Sequence, residues 1–235
     1  MSKVKLFDDV DVELVECSAS DDQVVRAARI STLTERVVDD EPGKTAGMIN
    51  FLMKNRHGTP FEHNMFTFRI KAPIFVFREF HRHRIGWSYN EMSGRYTELL
   101  PEFYVPAMNR PIVQEGKPGH YSFTAGSKGE WMSMPNIVEV YEFAWGKYQD
   151  MLSAGIAKEI ARMVLPVGIM SQMYATCNAR SLMAFLSLRT KDETSKFPSY
   201  PMQEIEMVAR NMEAFFSDRM PLTHEAFQKN GRVSP

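Results

Sequence analysis

A segment of 20 residues, Phe77–Tyr96, carries side chains suited to binding an anion; its sequence is FREFHRHRIGWSYNEMSGRY. Its four arginines that could face a ligand are Arg78, Arg82, Arg84 and Arg95. A guanidinium stays charged, donates two parallel hydrogen bonds to phosphate or carboxylate, and stacks on flat rings. A solvated helix face would instead mix lysine and glutamate four residues apart. The composition therefore predicts a site for a planar anion.

The end of this segment adds residues that expose the backbone. Ser93 and Gly94 are small, so main-chain N–H groups beside them can approach a phosphate. A nucleophilic role for Ser93 would need an adjacent base and an orienting acid, and its sequence neighbours offer no such pair. We therefore expect Ser93 to act as a hydrogen-bonding residue.

Composition limits the classes of function that fit. The 235 residues are 44% apolar, with a formal net charge of −1, so no global positive field would recruit nucleic acid or an anionic membrane. The two cysteines, Cys17 and Cys177, lack metal-ligand spacing and form no disulfide framework. No signal peptide or membrane span is predicted. We expect a soluble, cytoplasmic protein.

Patterning predicts the elements that position the arginine-rich segment. In the first half we expect a strand over 3–16, a capping box at 20–23 that opens a short helix, a surface loop over 34–43, a helix over 44–56, a turn at 59–63, a strand over 65–71 and a helix from 73 to 82. The arginine-rich segment then begins on a helix and continues past Gly86 on a loop or irregular strand.

The second half is predicted to be helical. Residues 100–135 hold many Pro and Gly and form a long excursion; helices are expected over 137–154, 157–165, 174–188 and 202–216. This order predicts one α+β domain over residues 1–235, with an antiparallel or mixed sheet in the N-terminal half packed against helices. Neither a Rossmann nor a P-loop nucleotide motif is present.

The assembled motifs resemble those of the flavin-dependent thymidylate synthases. That family is marked by an RHR triplet followed by a serine in a context like SxNExSGRY, which correspond here to residues 82–84 and 88–96. Further similar segments follow the same order: VRAARIS at 25–31, HGTPFEH at 57–63, FTFRIKAPIFV at 66–76, ARMVLP at 161–166 and NARSLMAFLSLR at 178–189. Collinear matches over most of the chain are far more specific than one triplet.

The resemblance implies a reductive methylation. The substrate would be deoxyuridine monophosphate (dUMP), the carbon donor 5,10-methylenetetrahydrofolate, the redox relay FAD and the hydride source NADPH, giving dTMP and tetrahydrofolate. It also implies a homotetramer with shared active sites. Because the cofactor carries the redox chemistry, no enzyme nucleophile is needed. Cys17, on a predicted strand, and Cys177, in a predicted apolar helix, are expected to be inert packing residues.

The resemblance also implies roles for individual residues. Arg189 would be catalytic, at the edge of the uracil ring, where a fixed cation stabilises developing negative charge. The implied nucleotide-binding residues are Glu79, Arg82, Glu91, Met92, Ser93, Gly94, Arg95, Arg162 and Arg189. The implied FAD-binding residues are Thr59, Arg82, His83, Arg84, Glu91, Asn178 and Arg180.

Without the resemblance, three of these residues have structural explanations. Arg189 would complement the dipole at a helix C-terminus, Arg162 would form a buried ion pair, and Glu79 would be an exposed helix carboxylate. Two positions also depart from the family's commonest pattern. Eight residues separate Arg84 from Ser93, where the family's commonest form has seven, and the extra residue falls at Gly86–Trp87. Ala184 stands where members often carry an Asn or His that helps to hold the flavin.

Two other classes of function fit the same residues. A non-catalytic regulator could bind a nucleotide or phosphate through the arginines without redox chemistry. A metal hydrolase could be built on His81 and His83 with His57 or His63. The second hypothesis is disfavoured because neighbouring arginines would repel a cation, and we expect no metal.

Overall fold

The structure, a computed structural model, describes residues 3–32, 43–117 and 120–235. The predicted surface loop at 34–43 lies outside the described residues except for Gly43. The contacts of the chain divide it into two compact units. Unit 1 comprises Met1–Asp11, Lys71–His81 and Glu91–Met173, and unit 2 comprises Val12–Ile70, Arg82–Asn90 and Tyr174–Pro235. The single domain over 1–235 stays a prediction.

Strands and helices are intermixed along the chain. The strands are β1 (Lys5–Phe7), β2 (Asp11–Cys17), β3 (Met65–Pro73), β4 (Trp87–Glu91), β5 (Glu102–Tyr104), β6 (Val113–Lys117), β7 (His120–Thr124) and β8 (Met170–Asn178). The helices are α1 (Asp21–Arg29), α2 (Lys44–Lys54), α3 (Thr59–Glu62), α4 (Ile74–Phe80), α5 (Lys128–Trp131), α6 (Pro135–Ser153), α7 (Lys158–Ala161), α8 (Ala179–Arg189), α9 (Gln203–Arg219) and α10 (Pro221–Lys229). The predicted α+β class is confirmed.

Three sheets form within the described residues. The main sheet has the strand order β2-β3-β8-β4, β1 pairs with β5 in parallel, and β6 pairs with β7 as an antiparallel ribbon. In β3 every second side chain from Phe66 to Ala72 is buried, as its alternating sequence predicts. Pro73 has an extended ψ of 148° and is the N-cap of α4, so the chain turns from strand to helix at this residue.

Unit 1 is built around an aromatic core beneath α6. Phe103 stacks on Tyr141 with ring centroids 4.6 Å apart, and both belong to a buried cluster with Trp145 and Tyr148. The Tyr141 hydroxyl donates to the backbone oxygen of Tyr104 at 2.9 Å, and burial raises the pKa of Tyr141. Buried tyrosine hydroxyls need such partners. Leu99 belongs to this core and Met92 packs against it, and both residues also line a cavity of unit 1.

Unit 2 holds its helices through capped ends. Ser20 caps α1 by accepting from the Gln23 N–H at 3.1 Å, which confirms the predicted helix start. Asn178 caps α8 in the same way, accepting from the Ser181 N–H at 2.8 Å. The buried Asn64 accepts through its backbone oxygen from the Ala179 N–H at 2.8 Å. The start of α8 is therefore fixed on two sides.

Several sequence-based predictions of elements were wrong. Residues 174–188 are not one helix, because β8 runs to Asn178 before α8 begins, and Cys177 is therefore a strand residue. The predicted turn at 59–63 is the short helix α3, and the helix from Pro73 ends at Phe80 rather than reaching Arg82. The excursion over 100–135 contains β5, the β6–β7 ribbon and α5. The prediction missed α10, and its helix over 157–165 is α7 followed by a 3-10 turn.

Within the described ranges, no helix is long and apolar enough to cross a membrane.

Candidate active site

A large cavity in unit 2 is lined by the arginine-histidine triplet. Its volume is about 860 Å³, and Arg82, His83 and Arg84 enter it from the loop between α4 and β4. The remaining lining residues are Arg56, Glu62, Ile85, Gly86, Trp87, Asn178, Arg180, Ser181, Ala184, Ser234 and Pro235. A cavity of this size is typical of a cofactor site, and its four arginines favour an anionic ligand.

The triplet loop lies directly on the start of α8. The Ser181 hydroxyl donates to the backbone oxygen of Ile85 at 2.8 Å. Gly86 has a φ of +69°, and a Cβ added there would lie 2.2 Å from Ser181 Oγ and 2.7 Å from Asn178 Nδ2. Both the left-handed backbone and the close approach require glycine. The extra residue near Gly86 therefore belongs to a tightly packed contact between the triplet loop and α8.

His83 and Arg189 meet through their side chains. Arg189 Nε donates to His83 Nε2 at 3.0 Å, so this ring nitrogen carries no proton. Burial, and secondarily the charge of Arg189, lower the pKa of His83 to about 4. The imidazole is therefore neutral at neutral pH and holds the guanidinium of Arg189 in place as a fixed cation.

Aromatic side chains pack around His83. The His83 ring lies edge-on to Phe185 at 4.9 Å, and Trp87 packs on Phe185 at 5.4 Å and stacks on Tyr89 at 5.6 Å. The Tyr89 hydroxyl donates to the backbone oxygen of His83 at 2.9 Å. Burial raises the pKa of Tyr89, so the hydroxyl keeps its proton for this hydrogen bond. The ring of His83 is thus fixed by packing as well as by Arg189.

Arg180 lies at another wall of the cavity. Its NH1 atom is 2.6 Å from Glu62 Oε1, and its Nε donates to the Pro235 backbone oxygen at 2.6 Å. A Cβ added to Gly58 would lie 2.5 Å from Arg180 Nε, so the side chain crosses the Gly58 backbone. Arg180 is 44% exposed. An ion pair this exposed contributes at most about 1 kcal/mol, so an anionic ligand can replace its partners.

A second, smaller cavity lies in unit 1. Its volume is about 150 Å³, and two arginines, Arg78 and Arg162, line it together with Glu91 and Ser171. The Ser171 hydroxyl donates to Glu91 Oε1 at 3.0 Å. The other lining residues are Ile74, Met92, Gly94, Leu99, Leu165, Pro166, Val167 and Ile169. Two guanidinium groups beside a glycine that lines the same cavity can bind a phosphate.

The Ser93–Gly94 turn is packed against Arg162. A Cβ added to Gly94 would lie 3.2 Å from Arg162 Cδ and 3.3 Å from a Leu99 methyl group. Ser93 accepts through its backbone oxygen from the N–H groups of Tyr96 and Thr97, both at 3.1 Å. The glycine thus lets the stem of Arg162 pass close to the backbone of the turn.

The structure brings most of the implied residues into these two groups. Arg82, His83, Arg84, Asn178 and Arg180 line the larger cavity, and Glu91, Met92, Gly94 and Arg162 line the smaller one. Arg189 joins the first group through His83. Arg162 is exposed, so the alternative of a buried ion pair at this position was wrong.

Five implied residues line neither cavity, and one of them is Arg189, which contacts the lining residue His83. Arg95 is 54% exposed and pairs with Glu159 at 2.9 Å. Thr59 is exposed at the start of α3, while Glu79 and Ser93 are partly buried. The sequence analysis missed Arg56, Glu62, Ser181 and Ser171 as lining residues. Of these four, only Glu62 lies inside a segment on which the family resemblance rests, HGTPFEH, so the sequence could have predicted its place in the site.

Comparison with known proteins gives the family. The family model described as thymidylate synthase complementing protein matches residues 13–222. The chain belongs to this family. A flavin-dependent thymidylate synthase of Streptomyces avermitilis is 57% identical over 231 residues, covering 97% of this chain and 94% of the relative. One from Tropheryma whipplei is 51% identical over 230 residues, covering 97% of this chain and 95% of the relative.

A solved family structure has the same fold. The UMP/dUMP methylase PolB from Streptomyces cacaoi, bound with 5-Br UMP, superposes with a TM-score of 0.92 at 50% identity, covering 99% of this chain and 100% of that one. The resemblance drawn from the motifs is therefore confirmed as family membership. In this chain Ala184 lines the larger cavity, so a methyl group stands there in place of the longer polar side chain that the resemblance implies.

The metal-hydrolase hypothesis finds no support in the geometry. In residues 3–32, 43–117 and 120–235, no three His, Cys, Asp or Glu side chains are grouped as metal ligands. His57, His63 and His81 are exposed, whereas His83 is partly buried against Phe185.

Proposed function

We propose that this chain is a flavin-dependent thymidylate synthase. It converts dUMP, 5,10-methylenetetrahydrofolate, NADPH and a proton into dTMP, tetrahydrofolate and NADP⁺. The one-carbon unit replaces the hydrogen at C5 of uracil, and NADPH supplies the two electrons that bring it to the level of a methyl group. The observation that carries the proposal is the convergence of five residues, implied by motif alone, on one cavity of about 860 Å³.

The larger cavity fits FAD by size and by the chemistry of its walls. Arg82, Arg84 and Arg180 are suited to its phosphates, and Asn178 to a ring or ribose oxygen. When bound, FAD supplies the hydride chemistry that no amino acid side chain offers. The chain itself contributes orientation and a fixed cation beside a neutral imidazole, His83.

The smaller cavity fits the phosphate of the nucleotide. Arg78 and Arg162 supply the positive charge, and Gly94 supplies backbone that lines the cavity without a side chain. Glu91, held by Ser171, accepts hydrogen bonds from a sugar hydroxyl or a base N–H. The exposed pair between Arg95 and Glu159 can exchange the carboxylate for a phosphate, as a weak surface ion pair permits.

Arg189 is the catalytic residue of the proposal. Its guanidinium, oriented by His83, stabilises negative charge that develops on the uracil ring when C5 becomes nucleophilic. Cys177 is not suited to act as a nucleophile, because it is fully buried and burial raises the pKa of its thiol well above the ordinary value. The same proposal assigns Glu79 to the nucleotide and Thr59 to FAD, as the resemblance implies. It also includes a homotetramer with shared active sites.

A spectrum followed by product analysis tests the function. The purified protein, supplied with FAD, should show a flavin spectrum that bleaches on anaerobic addition of NADPH. Adding dUMP and methylenetetrahydrofolate should then yield dTMP and tetrahydrofolate in equal amounts. UMP is run in parallel, because a relative of 50% identity is named a UMP/dUMP methylase.

Each outcome decides between the hypotheses. A protein that takes up no FAD, or whose flavin is not reduced, would favour the non-catalytic nucleotide-binding regulator. Reduction without dTMP would restrict the chain to a flavin reductase. Methylation of UMP at a rate comparable to that of dUMP would widen the substrate to both nucleotides.

A further inference from the structure

A third cavity in unit 2 is surrounded by positive charge. Its volume is about 280 Å³, and Lys54, Arg56 and Lys196 line it together with Phe197 and Asn230. Among the lining residues in the described part of the chain, none is a carboxylate. It shares Arg56 and Ser234 with the cavity that holds the arginine-histidine triplet, so the two cavities adjoin.

The three cations come from distant parts of the sequence. Lys54 is the last residue of α2, where a positive side chain complements the helix dipole, and Arg56 follows it two residues later. Lys196 lies in the loop between α8 and α9, so a helix dipole does not explain its position. Its backbone N–H donates to the Gly231 backbone oxygen at 3.0 Å, which holds this loop beside the cavity. Within the described residues none of the three forms an ion pair. Converging like charges favour an anion between them.

The backbone at Arg56 gives an independent reason to look for a ligand. Arg56 has a φ of +59°, and the His57 N–H donates to the Leu52 backbone oxygen at 2.9 Å, which closes the end of α2 as a Schellman motif. Glycine is the usual residue at this left-handed position because it has no Cβ. A charged side chain in a strained conformation is a feature of ligand sites. Here it lies in the wall that the two cavities share.

An exposed aromatic ring indicates what kind of anion fits. Phe197 is 67% exposed, and Lys196 Nζ lies 5.6 Å from the centre of its ring. A flat base can stack on such a ring while cations hold a phosphate. A volume of about 280 Å³ is too small for a whole dinucleotide but sufficient for one end of it. The glutamate tail of a folate carries no ring at its charged end and would leave Phe197 unused.

We propose that Lys54, Arg56 and Lys196 bind the 2′-phosphate of the adenosine end of NADPH, with Phe197 against the adenine. The cluster thereby selects NADPH over NADH. This inference rests on the proposed function, in which NADPH reduces a flavin held in the adjoining cavity.

The test measures how fast the reductant bleaches the bound flavin. FAD-loaded wild type and the double variant K54Q/K196Q are mixed anaerobically with increasing NADPH or NADH, and the apparent dissociation constant of each is taken from the reduction rate. We expect the constant for NADPH to rise about tenfold or more per lost charge-assisted contact, while that for NADH is unchanged. The variant K229Q, on an exposed lysine of α10 that lines another cavity, is the control and should leave both constants unchanged.

The alternatives give different results, each of which would overturn the inference. Equal weakening of NADPH and NADH, or no weakening of either, would exclude a contact with the 2′-phosphate. A loss of FAD affinity in K54Q/K196Q would assign the cations to the FAD diphosphate, and a raised KM for methylenetetrahydrofolate alone would assign them to the folate tail. Failure of the proposed function would show separately, as wild-type protein whose flavin NADPH does not reduce. F197A, which should weaken NADPH and NADH together, tests the aromatic contact.

Discussion

Arg189 Nε donates a hydrogen bond to the unprotonated Nε2 of His83 across 3.0 Å. The direction of this bond requires a neutral His83, because a neutral imidazole accepts where an imidazolium would repel. The arginine at the end of α8 is therefore more than a complement to the helix dipole. Its guanidinium is aimed by a histidine that lies 106 positions earlier in the chain.

Replacing Arg189 by Ala should depress methylation while leaving the fold and flavin binding largely intact. The guanidinium is proposed to act on charge that exists only in the transition state, so kcat should fall about 10²–10³-fold with little change in KM for dUMP. Steady-state formation of dTMP, with FAD affinity measured by titration, checks this. Arg219→Ala is the matched control, since Arg219 is also in the last turn of a helix but is 55% exposed. Wild-type turnover by Arg189→Ala would remove this residue from catalysis.

The pKa of His83 should be low and should depend on Arg189. Burial is the larger cause and the charge of Arg189 the smaller, so a pKa of about 4 in the native protein should rise in Arg189→Ala but stay below 6.5. In the unfolded chain His83 binds a proton with a pKa near 6.5, whereas in the native protein it stays unprotonated down to about pH 4. The free energy of unfolding should therefore decrease as the pH falls from about 6.5 to 4. NMR titration of the histidine ring measures the pKa directly.

A substitution at His83 separates this effect from other titrations. In His83→Asn the decrease in unfolding free energy over the same pH range should be smaller, as followed by urea denaturation at several pH values. An unchanged slope would mean that His83 titrates alike in both states and that its ring is not held neutral.

The sequence identified the chemistry of the site better than the contacts that organise it. Arg82, His83 and Arg84 were found because their types and spacing are unusual on any solvated surface, and they do line one cavity. Arg56 and Ser181 were missed, since an arginine at a helix end and a serine in a helix are ordinary in sequence. Their roles come from a left-handed backbone and from a contact with a loop 96 positions away, neither of which periodicity reveals.

The fold shows where local preference was overridden. Helices with one apolar face, such as α2, α6 and α9, were predicted well because a period of 3.6 residues is visible in sequence. The strand β8 was predicted wrongly in part, because its residues 174–178 were expected to begin the helix that ends near residue 188. It lies between β3 and β4 in the main sheet, so hydrogen bonds on both edges decide its conformation.

Substituting Gly86 by Ala should disrupt the larger cavity. The added Cβ would lie 2.2 Å from Ser181 Oγ at a residue whose φ is +69°, so the triplet loop must shift. We expect a loss of about 1–3 kcal/mol in stability and a marked loss of FAD affinity. Thermal denaturation and flavin titration measure the two effects.

Two further variants give the prediction a control and a rescue. Gly146→Ala, in the interior of α6 with no atom within 4 Å of the added Cβ, should raise stability by about 0.5–1 kcal/mol. Gly86→Ala combined with Ser181→Ala removes the hydroxyl that the new methyl group meets, and it should recover part of the FAD affinity. Full FAD affinity in Gly86→Ala alone would mean that the loop tolerates the shift.

Arg232 should be among the most costly residues to replace. Its side chain is fully buried, and NH1 lies 2.6 Å from Glu213 Oε1. NH2 donates to Thr190 Oγ1 at 2.7 Å, and Thr190 is the residue that follows Arg189 in the chain. Burial alone would raise the pKa of Glu213, but hydrogen bonds and charge from His224 and Arg232 lower it to about 2. Arg232→Met leaves this carboxylate without its buried partner, so we expect a loss of about 3–5 kcal/mol in the free energy of unfolding.

The same network makes a prediction about pH. A carboxylate whose pKa is lowered from 4.5 to about 2 contributes stability above pH 4.5 that is lost as the pH falls toward 2. In Arg232→Met the pKa of Glu213 should rise and this contribution should shrink, whereas Arg210→Met should change little, because Arg210 is 44% exposed beside the same Glu213. Adding Glu213→Gln to Arg232→Met removes both buried charges and should restore much of the stability. If urea denaturation shows no restoration, the cost arises from lost packing of the Arg232 guanidinium on the Phe227 ring, 5.0 Å away, and not from an unpaired carboxylate.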